Sequence, residues 1–402
     1  MTERPQPRLL FLTIILGLLA TLGPIGQDMF IPSIPKIAAD LGTTTNIVIF
    51  SVSSVLFGNA IGQIFHGPLA DRFGRKPVII GVLILFTASS GAALWATTIE
   101  LLIVLRFFQG LALSGGRILA AAIARDYFEK ERLGKLMSDI MFVTAIGTVI
   151  APMSGGLIAQ HLPWQISMGV MASFGIIVLG LFLFGYQESG GAPDRTSLNP
   201  AILAATMKKV LTNRTFLMNT LCSTFMLSGF IIFLSLSASV LIEGFGMRGD
   251  FYGFLFAGVS SSFLAGTFVS GRLVAHLKLH QMVGLGIVIG SAGGLTMAGL
   301  ALAGMKLPAA VIIPMAIFVF GLALVIPHAT AAALTPLSDS AGTASSVSGF
   351  LQSMTSAGIS FALTLFTHDD AVIMGIAISV VALIALLIYV AGVRRRPPAA
   401  LA

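Results

Sequence analysis

Gly67-Pro68-Leu69-Ala70-Asp71-Arg72-Phe73-Gly74-Arg75-Lys76-Pro77 sets one acid, three bases and two glycines between two long apolar runs, residues 47–66 and 78–97. Each flank is about 20 residues long and nearly free of charge, enough to cross a hydrocarbon core about 30 Å thick. The stretch therefore reads as a tight turn joining two transmembrane helices. Gly67 and Gly74 permit close backbone approach and positive φ. Arg72, Arg75 and Lys76 hold the turn on the cytoplasmic side, where membrane proteins concentrate their basic residues.

Composition extends that reading to the whole chain. Its 402 residues are 56% hydrophobic and 10% charged, with a mean hydropathy of +0.97. Soluble domains carry about 25% charged residues, so an ordinary soluble enzyme is excluded. The 44 glycines suit helices that meet closely in lipid. A net charge of +7 would suit nucleic acid, but most of the bases fall in alternate loops and read as topology signals; no nucleic-acid partner is expected. Cys222 is the single cysteine, which excludes an internal disulfide and a cysteine-rich metal site.

Apolar runs predict twelve spans, near residues 9–30, 47–66, 78–96, 101–124, 136–159, 164–186, 216–242, 251–270, 282–303, 308–328, 343–366 and 371–393. The first follows Arg4 and Arg8 as a signal peptide would, but it is long for that role and is read as a retained helix. Residues 125–135 form a charged loop. Residues 187–214 are long and polar and read as a linker, with room for one surface helix. The expected division is a six-helix bundle at 1–186, the linker at 187–214 and a second six-helix bundle at 215–402. Arg4, Arg8, Arg72, Arg75, Lys76, Arg125, Lys130, Arg132, Lys135, Arg195, Lys208, Lys209, Arg214, Arg272, Lys278 and Arg394 to Arg396 fall on one side of this topology. Lys36, Arg248 and Lys306 fall on the other. That imbalance places both termini in the cytoplasm and requires an even number of spans. Gly266-Thr267-Phe268-Val269-Ser270-Gly271-Arg272-Leu273 follows span 8 as the opening stretch follows span 2, a worn internal repeat in keeping with the paired halves of secondary transporters.

Charges inside the spans are the candidate site. Arg106 and Arg117 lie in span 4, eleven residues apart, so they share one helix face about 16 Å apart. Such residues face a cavity or a partner, unless they snorkel to the two interfaces. Asp28 is the only charge between Arg8 and Lys36 and lies toward the outer half of span 1, at a depth like that of Arg106. A buried carboxylate there can take a proton from one side and release it to the other; alternatively it simply begins the outer loop. Asp139 reads as interfacial, with a pairing to Arg117 left open. In span 5, Gly147, Ala151 and Gly155 recur every four residues and form a smooth strip on which another helix can lie, while Pro152 bends the helix. The histidines are scattered, and no metal or nucleophile array and no phosphate-binding loop is present.

At these residues the chain resembles the major facilitator superfamily, in particular its twelve-span drug:proton antiporters of the Bcr/CflA branch, which includes phenicol exporters. The opening stretch is similar to that superfamily's loop motif G-x-L-x-D-R-x-G-R-K through Gly67, Asp71, Arg72, Gly74, Arg75 and Lys76. Arg106 and Gln109 match R-x-x-Q-G. Gly147, Pro152, Gly155 and Gly156 resemble the span 5 antiporter motif, with Ala151 where glycine is usual. Asp28-Met29-Phe30-Ile31-Pro32-Ser33-Ile34-Pro35 resembles D-x-Y-x-P-x-x-P, and Arg125-Asp126 the end of span 4. The resemblance implies an all-α membrane fold of two pseudo-symmetric bundles, and an inner cluster of Asp71, Arg75 and Asp126 that locks the outward-facing state. Arg117, Gln165 after Trp164, and the lack of a second acid beside Gly17, Ala20 and Gly23 depart from the pattern.

The expected function is proton-coupled export of small amphipathic compounds by alternating access, with no cofactor beyond the proton. Asp28 carries the proton, Arg106 tunes it, and Gln109 and Arg117 join the substrate cavity. Two arginines against one acid favour neutral or anionic substrates over dications. The resemblance implies a monomer spanning the bilayer of a bacterial cytoplasmic membrane. Export of one metabolite, uptake, and a membrane receptor or scaffold are the alternatives.

Overall fold

The computed structural model describes residues 9–128, 130–188, 200–365 and 370–393. Arg4, Arg8, Arg195 and Arg394 to Arg396, counted above for topology, and the side chain of Lys130 lie outside the described residues. All regular structure described is helical. The helices in chain order are α1 (Leu9–Asp28), α2 (Ile34–Asp40), α3 (Thr45–Phe73), α4 (Arg75–Ala93), α5 (Ile99–Tyr127), α6 (Lys130–His161), α7 (Gln165–Gly185), α8 (Pro200–Thr212), α9 (Arg214–Ala238), α10 (Gly249–Leu273), α11 (Leu279–Leu302), α12 (Pro308–Leu334), α13 (Ala341–Leu363) and α14 (Ala371–Ile388).

Among the described residues, eleven helices are long and apolar enough to cross a membrane. The remaining expected span is α13. Its 23 residues give it about 35 Å of length, but Ser345, Ser346, Ser348, Gln352, Ser353, Ser356 and Ser360 make it the least apolar of the set. Its place explains this. α13 lies between α3 and α9, and its hydroxyls bond sideways: Ser356 to Ser228 at 3.0 Å, Ser360 to Ser235 at 2.8 Å and Ser53 to Ser360 at 3.0 Å. Gln352 donates to Ser223, and Gln63 donates to Ser353. Hydroxyls removed from water need such partners.

Three boundaries differ from the sequence reading. The opening stretch is not an eleven-residue turn: α3 continues to Phe73 and α4 starts at Arg75, so the reversal falls on Gly74 alone. Charged residues are good helix formers, and a helix leaving the bilayer has no reason to stop at the interface. For the same reason α5 and α6 take up most of the expected loop at 125–135, and α10 runs through the repeat to Leu273. Finally, α1 ends at Asp28, and Ile31–Ser33 form a 3₁₀ turn leading into α2. The linker's expected surface helix is α8, whose Val210 is buried with Phe216, Ala333, Leu337, Ala344 and Val347.

Contacts fall into two sets. α1 lies on α5 and α6, α3 on α5, and α4 on α5 and α7; further along the chain, α9 lies on α12, α13 and α14, α10 on α12, and α11 on α12 and α14. Among the described residues two helix pairs make most of the contact between the sets, α3 with α13 and α6 with α10, with smaller contacts of α3 with α9 and of the Ile31–Ser33 turn with α9 and α10.

Candidate functional site

The end of the molecule holding Gly74 is here termed the motif end. Gly74 adopts φ +95°, a backbone state that favours glycine. The Glu188 carboxylate, three residues beyond α7, accepts from the Arg75 and Lys76 amides, both at 2.9 Å. It thereby satisfies two of the free N–H groups at the start of α4. Lys76 returns the interaction: its Nζ donates to the carbonyls of Tyr186, at 2.6 Å, and Leu183 at the end of α7. Arg75 gathers Asp71 (2.7 Å) and Asp126 (3.1 Å). Arg72 stays exposed over the Phe73 ring. Gly67 lies inside α3, where an added Cβ would be 3.8 Å from Ser346 of α13.

The glycines of α6 have two faces. Gly147 meets Thr21 and Gly155 meets the Met29 carbonyl, so the four-residue strip that includes Ala151 receives α1. Gly156 and Pro152 turn the other way, onto α10. A Cβ on Gly156 would stand 2.5 Å from the Gly249 carbonyl, and one on Gly253 would stand 2.7 Å from that of Pro152. This contact lies at the far end of the molecule, opposite the motif end. Two hydrogen bonds reinforce it: the Gly249 amide donates to Gln160 (3.0 Å), and Thr45 at the start of α3 donates to Glu243 (2.9 Å). Toward the motif end no such close backbone contact joins the pair among the described glycines. Met141, Phe142, Leu264 and Phe268 are exposed there. The far end is shut by α6 against α10.

Arg106 is fully buried. Its Nη1 donates to the Gly26 carbonyl at 2.6 Å and to Gln109 Oε1 at 2.8 Å, and its guanidinium lies 4.2 Å from the Phe30 ring centroid. Gln109 in turn donates to Ser90 at 2.8 Å. Arg106 therefore ties α1, α4 and α5 together, and a cation over an aromatic face recovers part of its lost hydration. Its Nε and Nη2 have no protein partner. The expected tuning of Asp28 by Arg106 is not seen as an ion pair. Asp28 is 6% exposed, and no described residue bonds its carboxylate. Equal depth along two helices does not fix direction around them, and the Gly26 carbonyl occupies the guanidinium. Asp28 instead lies within electrostatic reach of the buried Tyr252, whose hydroxyl is 2.7 Å from that of Ser237. Tyr252 belongs to α10, so the one buried acid near this end sits where the two helix sets meet.

Arg117 behaves differently from Arg106. Gly116 beside it lies on the Leu19 carbonyl, midway along α1, and Gly115 lies on Val82, midway along α4. Ser114, on the turn before, lies beside His66 of α3: its hydroxyl donates to Leu111, and His66 Nδ1 is 2.9 Å from its oxygen. Arg117 thus projects between α1 and α3 near mid-height. It is deep among the helices yet accessible to water, a combination that describes the wall of an internal cleft. No described residue forms an ion pair with it, Asp139 included.

Sequence reasoning missed Glu188, Tyr252, Glu243 and the Asn59–Gln63 pair, in which Gln63 donates to Asn59 at 3.0 Å. Asn59 and Gln63 carry a readable signal, two amides one turn apart in an apolar run. Glu188 does not, since an acid just past a span looks like any solvated loop residue.

The Major Facilitator Superfamily model matches residues 16–363. Among curated proteins, the chain is similar to the multidrug resistance protein MdtL of Escherichia coli O127:H6, at 32% identity over 83% of each chain. It is also similar to a bicyclomycin resistance protein homolog of Haemophilus influenzae, at 29% identity over 83% of this chain and 84% of that one. Among solved structures, a D-xylose–proton symporter superposes with a TM-score of 0.74 at 15% identity, covering 94% of this chain and 97% of that one. This last likeness speaks for the fold.

Proposed function

The chain belongs to the Major Facilitator Superfamily of membrane transporters, and from that premise we propose that it exports small amphipathic compounds in exchange for protons. The names of its relatives, multidrug resistance and bicyclomycin resistance, support export of drug-like molecules. The observation that carries the proton part is Asp28, an acid almost sealed from water and without a bonding partner among the described residues, just before the Ile31–Ser33 turn that touches α10. A lone intramembrane acid is costly to keep charged, so its protonation follows whichever compartment the cleft faces. Residues 1–186 and 215–402 act as two bundles that rock about the midplane. The basic motif end faces the cytoplasm of a bacterial cell, with both termini on that side, and the protein works as a monomer. In this orientation the described form is closed outward.

The test is drug movement in proteoliposomes with an imposed pH gradient. The proposal expects a phenicol-type compound to accumulate against its gradient in the more acidic compartment, and to stop when an ionophore collapses the gradient. Accumulation that ignores the ionophore overturns it.

A further inference from the structure

We infer that the central cleft selects an amphipathic anion, and that Arg117 is the residue that holds the anionic head, a carboxylate or a group of like charge and size. The inference rests on the transporter reading above and deepens it. Three observations carry it. First, Arg117 projects between α1 and α3 at the height of Leu19 and Val82, and its side chain is exposed there rather than packed. An arginine that only needed rescue from lipid would reach for an interface or a carboxylate, and this one does neither among the described residues.

Second, the neighbouring wall offers amides and no acid. On α3, Gly58 and Gly62 face α5, while Ser53 and Gln63 face α13. Asn59 lies between these two faces, on the side away from the exposed Ile61 and Phe65. It is half-buried and therefore borders the same cleft. Third, no described acid pairs with Arg117, and Asp139 of α6 forms no ion pair with it. Asp28 is at the far end against α10, and Asp71 and Asp126 are held by Arg75. A guanidinium in a low-dielectric cleft binds a carboxylate through two parallel hydrogen bonds and repels an ammonium group. The cleft so built discriminates by charge before shape.

The experiment uses three probes of one size: 2-naphthoate, 2-naphthamide and 2-naphthylmethylammonium. Binding to the purified full-length protein is read by calorimetry for wild type, Arg117→Gln and Arg117→Lys. The expected order in wild type is naphthoate, then naphthamide, then the ammonium probe. Arg117→Gln weakens naphthoate at least tenfold and naphthamide much less, and Arg117→Lys restores part of the loss. The ammonium probe binding as tightly as naphthoate, or Arg117→Gln weakening all three alike, overturns the inference. The same probes in proteoliposomes separate the two claims. Charge-selective binding without pH-driven movement removes the exporter reading and leaves the anion site, whereas pH-driven movement without charge selection does the reverse.

Discussion

Arg106 uses one nitrogen for two acceptors and leaves Nε and Nη2 without a protein partner, so those two bonds and the Phe30 ring carry its burial. Removing it leaves the Gly26 carbonyl and Gln109 without their donor inside the bundle. Arg106→Ala is expected to cost about 3 kcal/mol, from two charge-assisted bonds of about 1.5–3 kcal/mol each that are partly replaced by water. The check is thermal unfolding in detergent, where Gln109→Leu should show a smaller loss. Arg106 and Gln109 were legible in the sequence because a charge and an amide stand out in an apolar run. Their partner was not. The sequence places Asp28 and Arg106 at one depth, but it does not show that Gly26, which lies against Leu113 and Phe86, offers its backbone carbonyl to the guanidinium.

At the scale of the helix, most of the architecture could be read from lengths and charges, and the misreadings share one cause. Hydropathy marks where the bilayer ends, not where hydrogen bonding ends, so α3, α5, α6 and α10 run past their apolar segments. Reversal of the chain at the motif end needs one left-handed residue and one cap. Gly74→Ala is expected to lower stability by about 1 kcal/mol through its φ, and Glu188→Ala by about 1 kcal/mol through loss of the α4 cap. Both should appear as a few degrees in thermal unfolding, with Glu188→Gln milder than Glu188→Ala. The α6 strip gives a sharper expectation. A valine at 156 cannot fit against the Gly249 carbonyl, so Gly156→Val should hold the far end apart. A short bis-maleimide cross-link between cysteines placed at Thr45 and Glu243, whose side chains meet in this form, in a Cys222→Ser background, is expected to form in the parent and poorly in the Gly156→Val variant. Equal cross-linking would show that the far end closes without that contact.

For the whole molecule, the two joining pairs divide the work. α3 and α13 stay together from Phe50 and Phe361 at one end, whose rings are 5.3 Å apart, to Gly67 and Ser346 at the other. Their hydroxyl and amide bonds can exchange partners with little change in energy. α6 and α10 make their closest backbone contact at the far end, where a hinged pair would be held shut. The Asp71–Arg75–Asp126 cluster is intact in this far-end-closed form, so its presence does not by itself mark the opposite state. Spin labels on the motif-end halves of α6 and α10 should therefore approach each other when Gly156→Val props the far end open. Asp28 ends α1 of one set within electrostatic reach of Tyr252 of the other, and this location could not be read from the chain: the two are 224 positions apart in sequence, and nothing local to either announces the other.

Exchange of substrate for proton through Asp28 is tested most directly by counting protons. Substrate added to the unbuffered, detergent-solubilised protein at a pH where Asp28 is protonated should release about one proton per molecule in wild type and none in Asp28→Asn, since a single titrating acid is at stake. Equal release from both proteins would contradict the account, because the proton would then come from a group other than Asp28.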